Sequence, residues 1–432
     1  MNANQSRLKL NTWLLPALVG VTLLADIFTL YRGWRVIFVG LGLALAASYL
    51  WARALAYGLK LTREMRFGWA QVGDRLVERF TLLNAGWAPA VWVEVQDEST
   101  MPDYHVSRGT GFSGSNSLRW HTEAQCQQRG LFILGPTRLE TGDPLGVFSV
   151  TLDYPATMPL LVLPPIVPLP EIEVAPGGRS GDGHPRANAV DRTVSAASVR
   201  EYVPGDSRRW IHWRTSARRD DLYVRLFDST PAGDWWILLD MERDVQLGHG
   251  LDATDEHGVI LAASLADQGV RLRRSVGLVA HGERLVWLPP ASGEGQRWEI
   301  LRALALVNQG QHPLAEMLMR VRSGIGQHTS VIIITPSLST EWVESLVPLV
   351  RRGAALTVLL LDRRSFGGTG NPAFIEEALL NLGVASYRIS RDVLDRPELR
   401  PGQQGRWEWR VSGTGKAVPT RPLDHAPWKV LG

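Results

Sequence analysis

The sequence predicts an α/β protein: a doubly wound, mainly parallel sheet preceded by a transmembrane helical hairpin and a small β-sandwich-like domain. Three observations predict it. Two almost unbroken apolar runs lie near the N-terminus, Trp13 to Leu30 and Val36 to Ala52. Short period-two alternation with frequent turn residues follows from about Leu61 to Leu163. From Trp235 onward, continuous apolar segments of strand length alternate with amphipathic segments of helix length, the pattern of a parallel sheet covered on both faces.

A chain of 432 residues has room for two or three domains. With 45% hydrophobic and 21% charged residues it reads as globular. A formal charge of +3 is too small for a nucleic-acid binder, so no such partner is expected. The single cysteine, Cys126, excludes an intramolecular disulfide and fits a reducing compartment.

Each apolar run is about 25–27 Å long as a helix, just enough to cross a bilayer. Only Tyr31 to Arg35 separates them, and Trp13, Trp34 and Trp51 mark the ends of the spans, where amphipathic rings settle. Asp26 is the one acid inside a run, near enough to its end to reach headgroups. Arg7, Lys9, Arg53, Lys60, Arg63 and Arg66 flank the pair, whereas the turn carries Arg32 and Arg35. The positive-inside rule therefore predicts a two-pass membrane protein with both termini cytoplasmic. The hairpin is assigned to residues 1–60.

Residues 61–163 read as the β-sandwich-like domain, with runs such as Val91 to Val95 and Leu131 to Leu134 bounded by breakers. His105 and His121 lack neighbours at metal-ligand spacing and read as ordinary histidines. Residues 164–198, rich in proline and glycine, read as a flexible connector. The tail, 392–432, reads as extended or disordered, with Trp407 and Trp409 alternating as in a short strand.

Residues 199–230 hold the most distinctive segment. It contains Arg200, Glu201 and Tyr202, the turn Pro204-Gly205-Asp206, then Arg209, His212, Trp213, Arg214, Ser216 and Arg218. Proline and glycine suit the turn, and aspartate can accept nearby backbone N–H groups. This run resembles the bacterial "domain of unknown function 58" family, as do Arg129 to Phe148 and the preceding hairpin. Between Arg200 and Arg225, seven arginines face four acids. Three readings stay open: a clasp in which arginine forks and carboxylates dock the linker and Leu222–Phe227 onto the next domain, a phosphate- or partner-binding patch, and catalysis by Asp206, His212 and Ser216. No nucleophile elbow surrounds Ser216.

Residues 231–391 carry the strand–helix alternation, with Trp235 to Leu239 as a first strand ending in Asp240. Ligands of such sheets bind beyond the carboxyl ends of the strands. The order and spacing resemble a von Willebrand factor A domain. That resemblance implies an Asp-x-Ser-x-Ser run after the first strand and a later Thr-Asp-Gly, whose oxygens hold Mg²⁺. Here the first place reads Asp240-Met241-Glu242-Arg243-Asp244 and the second Thr335-Pro336-Ser337. Asp240, Glu242, Asp244 and Thr335 thus mark a degenerate site, and no metal or cofactor is expected. The family resemblance implies a non-catalytic adaptor working with a MoxR-type AAA+ ATPase and a transglutaminase-like membrane protein, besides the lipid bilayer. A hydrolase built on Asp206, His212 and Ser216, or a metal-dependent adhesion module, stands as the alternative.

Overall fold

The computed structural model describes residues 5–29, 31–104, 106, 108–112, 116–169, 172–175, 196–201, 213–219, 221–227, 234–325, 329–394, 409–411, 417–419 and 429–430. The chain divides into two units, Met1–Leu163 with Pro397–Gly432, and Pro164–Arg396.

The first unit opens with a strand the apolar pattern did not announce. β1 (Gln5–Leu10) precedes α1 (Leu14–Phe28) and α2 (Arg32–Gly58). The helical pair is therefore an insertion between two strands of the β domain rather than a separate N-terminal piece of residues 1–60. Most of the expected polar turn is wound into α2, as arginine is a good helix former. Arg35 Nε then reaches back 3.3 Å to Asp26 Oδ2, so the lone acid of α1 is paired within the hairpin. Leu14, Val21, Leu24, Val36, Val39, Leu43 and Leu50 are exposed along the two helices. Among the described residues only α2 is long and apolar enough to cross a membrane; α1 is a shorter apolar helix.

The last turns of α2 leave that exposed surface. Ala52 and Leu55 are buried in the core of the β unit, and the chain passes directly into β2 (Leu59–Met65). The strands that follow are β3 (Trp69–Gln71), β4 (Arg75–Asn84), β5 (Ala90–Asp97), β6 (Arg108–Phe112), β7 (Asn116–Gln125), β8 (Gly130–Leu134), β9 (Thr137–Gly142), β10 (Phe148–Tyr154) and β11 (Met158–Leu163). One sheet runs β1-β10-β9-β5-β6, and a second contains β2-β4-β7. Both contribute to one hydrophobic cluster, through Leu61, Phe80 and Leu82 on one side and Val93, Leu139, Val150 and Leu152 on the other. A smaller sheet, β3-β11-β8, adds Leu160 and Val162.

The same alternation that turns Leu61 and Phe80 inward also turns Arg63 and Glu78 inward. Neither charge could be buried alone, and the fold brings them together. Arg63 donates two parallel bonds to Glu78, Nε to Oε1 at 2.9 Å and Nη2 to Oε2 at 2.8 Å. Its Nη1 donates to Asp97 Oδ1 at 2.6 Å and to Thr137 Oγ1 at 3.2 Å. The guanidinium thus ties β2 and β4 of one sheet to β5 and β9 of the other. Arg63, counted above as a cation flanking the membrane, is therefore a core residue.

The second unit begins with a strap that proline and glycine content alone marks as mobile. Val167 N–H donates to Ser264 Oγ at 3.0 Å, and Ala175 N–H donates to Thr357 Oγ1 at 2.9 Å. Ser330 Oγ donates in turn to the Ala175 carbonyl at 2.8 Å. Buried hydroxyls of the following domain hold the connector through its backbone, which its composition cannot reveal. Residues 176–195 lie outside the described residues.

β12 (Ala196–Glu201) and β13 (Tyr223–Phe227) pair as an antiparallel ribbon, with α3 (Trp213–Arg219) between them in sequence. The main sheet follows. Its elements in chain order are β14 (Trp235–Leu239), α4 (Thr254–Arg271), β15 (Val276–His281), β16 (Leu285–Ala291), α5 (Glu294–Leu306), α6 (Leu314–Val321), β17 (Ser330–Thr335), α7 (Glu341–Glu344), α8 (Val347–Arg351), β18 (Ala355–Leu361), α9 (Ala373–Asn381) and β19 (Ala385–Ile389). The order across the sheet is β16-β15-β14-β17-β18-β19, all parallel except the edge strand β16. Counted within the domain this is 3-2-1-4-5-6, the doubly wound order, with its switch point between β14 and β17. α4 and α5 cover one face, while α6, α7 and α9 cover the other over a core of Trp236, Leu238, Ile333, Val358 and Leu360. The expected helix over 340–351 is broken into α7 and α8, with Pro348 in the first turn of the latter. After this unit the chain returns to the first one as β20 (Trp409–Val411), β21 (Ala417–Pro419) and β22 (Lys429–Val430). β22 pairs with β2, so part of the tail is strand.

Removing Arg63 leaves Glu78 and Asp97 buried without their counter-charge, a loss of about 3–5 kcal/mol. Arg63→Ala should lower the unfolding free energy of the detergent-solubilised chain by that amount, and Arg63→Lys should recover part of it. A change below about 1 kcal/mol in Arg63→Ala, as for a surface pair, would show the network to be dispensable.

Candidate functional site

In a doubly wound sheet the ligand crevice opens at the carboxyl ends of the strands on either side of the switch point. Here those ends are Asp240, which follows β14, and Thr335, which closes β17. The register pairs Leu239 with Ile334, so the next residues meet across the crevice. Both are buried, Asp240 at 3% exposure. Thr335 Oγ1 donates to Asp240 Oδ2 at 2.6 Å, and the N–H of Glu242 donates to Oδ1 at 3.1 Å. Each carboxylate oxygen of Asp240 thus has a donor from within the protein. Ser337 N–H donates to the same threonine hydroxyl at 2.9 Å, which fixes its orientation.

The shell around this pair is polar and closed. Gln246 Nε2 donates to the Asp240 carbonyl at 3.0 Å, and Thr254 Oγ1 donates to Gln246 Oε1 at 2.7 Å. Thr254 opens α4, so the first turn of that helix is linked to the strand end. Glu242 forms a bridge with Gly310, and the N–H of Leu314 at the start of α6 hydrogen-bonds the Glu242 carboxylate. A side chain at Gly310 would fall 2.2 Å from the Gly282 backbone, which is why the loop after α5 can lie directly on the turn after β15. Asp244 is exposed on the short 3-10 turn Arg243–Val245, whose Arg243 side chain is exposed too.

Of the four degenerate-site positions, the structure therefore joins Asp240, Thr335 and the Glu242 backbone, and leaves Asp244 on the surface. Burial pushes the Asp240 carboxyl up to about 6, the bonds from Thr335 and the Glu242 N–H only partly opposing it. Burial also raises Glu242, with Asp244 and Glu341 adding to the effect.

The arginine-rich signature is placed only in part. Arg200 and Glu201 lie on β12, and Trp213, Arg214, Ser216 and Arg218 on α3. Tyr202, Pro204, Gly205, Asp206, Arg209 and His212 lie outside the described residues, as does His105. Ser216 is buried, and its hydroxyl accepts the Tyr223 N–H at 2.9 Å, joining α3 to the start of β13.

The sequence reading passed over one cluster. His281, His312 and Glu316 place one donor atom each within 4.8 Å of one another, the one such group of histidine, cysteine and acidic residues among the described residues. The four-residue spacing of His312 and Glu316, with His281 at a strand end, was the available signal.

A family described as "Protein of unknown function DUF58" matches residues 198–366. "Uncharacterized protein YeaD" of Bacillus subtilis (strain 168) is 25% identical over 309 residues, spanning 68% of this chain and 75% of that protein. An aerotolerance-related membrane protein from Bacteroides fragilis NCTC 9343 is a structural neighbour at a TM-score of 0.29 and 17% identity, covering 37% of this chain and 92% of that one. The SpRpn10 VWA domain is another, at 0.27 and 10%, covering 40% and 92%.

Because its carboxyl is raised from 3.8 to about 6, the folded chain takes up a proton at Asp240 more readily than the unfolded chain. Its contribution to stability is full below about pH 4 and is lost as pH rises through about 6, a difference of about 3 kcal/mol. The gap in melting temperature between Asp240→Asn and the parent should therefore shift in the variant's favour from pH 4 to pH 7. A gap that does not change with pH would contradict the assignment. Residues 198–366, which include the arginine-rich segment, match the family described as DUF58.

Proposed function

We propose that the protein is a non-enzymatic scaffold, held in the bacterial inner membrane by α1 and α2, that presents a von Willebrand factor A-like sheet to a protein partner in the cytoplasm. The observation that carries this reading is the closed switch point. Where doubly wound sheets ordinarily take their ligand, Asp240 accepts Thr335 Oγ1 and the Glu242 N–H. Octahedral Mg²⁺ demands several free, well-placed oxygens, and this edge offers shape and charge instead. The hydroxyl of Ser216, tied to the Tyr223 backbone, supports the clasp over the hydrolase.

The exposed apolar surface of α1 and α2 supports the anchor, since patches of this extent mark membrane or protein contacts. α1 rises about 22 Å, short of a hydrocarbon core of about 30 Å, so Trp13 and the Asp26–Arg35 pair fall toward the headgroups. With Arg63 withdrawn from the count, Arg7, Lys9, Arg53, Lys60 and Arg66 still outnumber Arg32 and Arg35, which favours cytoplasmic termini. The partner we propose is a MoxR-type AAA+ ATPase, with a transglutaminase-like membrane protein beside it, from the association that the DUF58 resemblance implies.

A reporter enzyme fused to the C-terminus should be active only on the cytoplasmic side. Crosslinked membranes should yield an AAA+ ATPase bound to the chain, and exposed-surface substitutions at Arg243 and Asp244 should weaken its capture. Reporter activity outside the membrane would overturn the topology, and repeated capture without an ATPase would overturn the partner.

A further inference from the structure

β15 ends at His281, one strand away from Asp240 along the same carboxyl edge. The register that pairs Leu239 with Ala280 sets Asp240 in line with His281. The loop after α5 returns to this edge with His312, and α6 adds Glu316 one helical turn on. The two imidazoles lie parallel, with centroids 3.7 Å apart and planes 6° apart. His312 Nδ1 is 3.2 Å from Glu316 Oε2, while Arg320 Nη2 holds the other oxygen, Oε1, at 2.7 Å. His281 is only 6% exposed, and its Nδ1 meets no hydrogen-bond partner among the described residues. A buried ring nitrogen without a partner is costly unless something occupies it.

We propose that His281, His312 and Glu316 form a binding site for a divalent transition-metal ion of the Zn²⁺ class. Two imidazoles and a carboxylate are the donor set that such ions take, whereas Mg²⁺ prefers oxygen alone. Metal ligation needs neutral imidazole. Stacked rings carry their in-plane lone pairs side by side, and an ion bridging two nitrogens needs them to converge. Convergence requires the His312 ring, whose side chain is 43% exposed, to turn out of the stack and its Nδ1 to leave Glu316, while His281 stays at the end of its strand. Three protein donors leave a fourth position for water or for a donor on a partner. The geometry of the loop favours the arrangement. A Cβ at Gly282 would fall 1.7 Å from the Asn308 carbonyl oxygen, so only glycine lets the segment that carries His312 approach His281 this closely. The inference does not rest on the scaffold reading, because it concerns donors that the switch point does not use.

The test is titration of the detergent-solubilised full chain, first stripped with a chelator. Zn²⁺ is followed by calorimetry and Co²⁺ by its visible absorption. We expect one ion per chain, with Co²⁺ bands typical of nitrogen and oxygen donors. Affinity should fall at least about tenfold in His312→Gln and in Glu316→Gln, whose melting curves without metal should match the parent. These side chains are partly exposed, so the two variants decide the matter even if a change at buried His281 prevents folding. The absence of saturable Zn²⁺ binding would overturn the proposal, as would equal affinity in the parent and both variants.

Discussion

A single hydrogen bond, from the Thr335 hydroxyl to the Asp240 carboxylate, spans the place where this sheet changes winding direction. Parallel strands wound in opposite senses from a central pair leave a crevice at their carboxyl ends, and helices diverge from it. A carboxylate buried there needs a partner, because desolvation of the charge is costly. Thr335 and the Glu242 backbone supply donors, and Gln246 and Thr254 carry the connection to the start of α4. The two sides of the sheet are thus joined at the point where an open site would separate them. That arrangement restrains the strand ends while Arg243 and Asp244 face outward.

The first unit meets a different constraint with related means. Its helices are inserted between β1 and β2, and the end of α2 is buried among strands. The apolar helices are therefore continuous with the β core through buried Ala52 and Leu55, and α2 passes into β2 without an intervening linker. Arg63 binds both sheets of that core, so a cation expected beside the membrane instead serves as an internal tie. Burying a guanidinium with two carboxylates is tolerable only because the fork geometry satisfies several acceptors at once.

Much of this was legible in the residues. Continuous apolar strands between amphipathic stretches announced the parallel sheet, and Asp240 at the end of Trp235–Leu239 announced its edge. Period-two alternation announced antiparallel pairing in the first unit. Other features were hidden because their cause is tertiary. β1 is short and mostly polar, and its partner β10 lies far along the chain. β16 contains Pro289 and Pro290, which a strand tolerates at a sheet edge, so its sequence argued against pairing. The strap at Val167 and Ala175 is held by hydroxyls from residues nearly a hundred or more positions away. His281 and His312 become neighbours only when the loop carrying Gly310 folds onto the turn after β15. Of the candidate site, the sequence identified the pair Asp240 and Thr335 but not the bond between them.

The most direct test of a closed switch point is Mg²⁺ titration of the full chain by calorimetry, with Asp240→Asn in parallel. The account predicts no saturable Mg²⁺ binding that the substitution removes, since both oxygens of Asp240 are already engaged. Saturable binding in the parent that disappears in Asp240→Asn would contradict it.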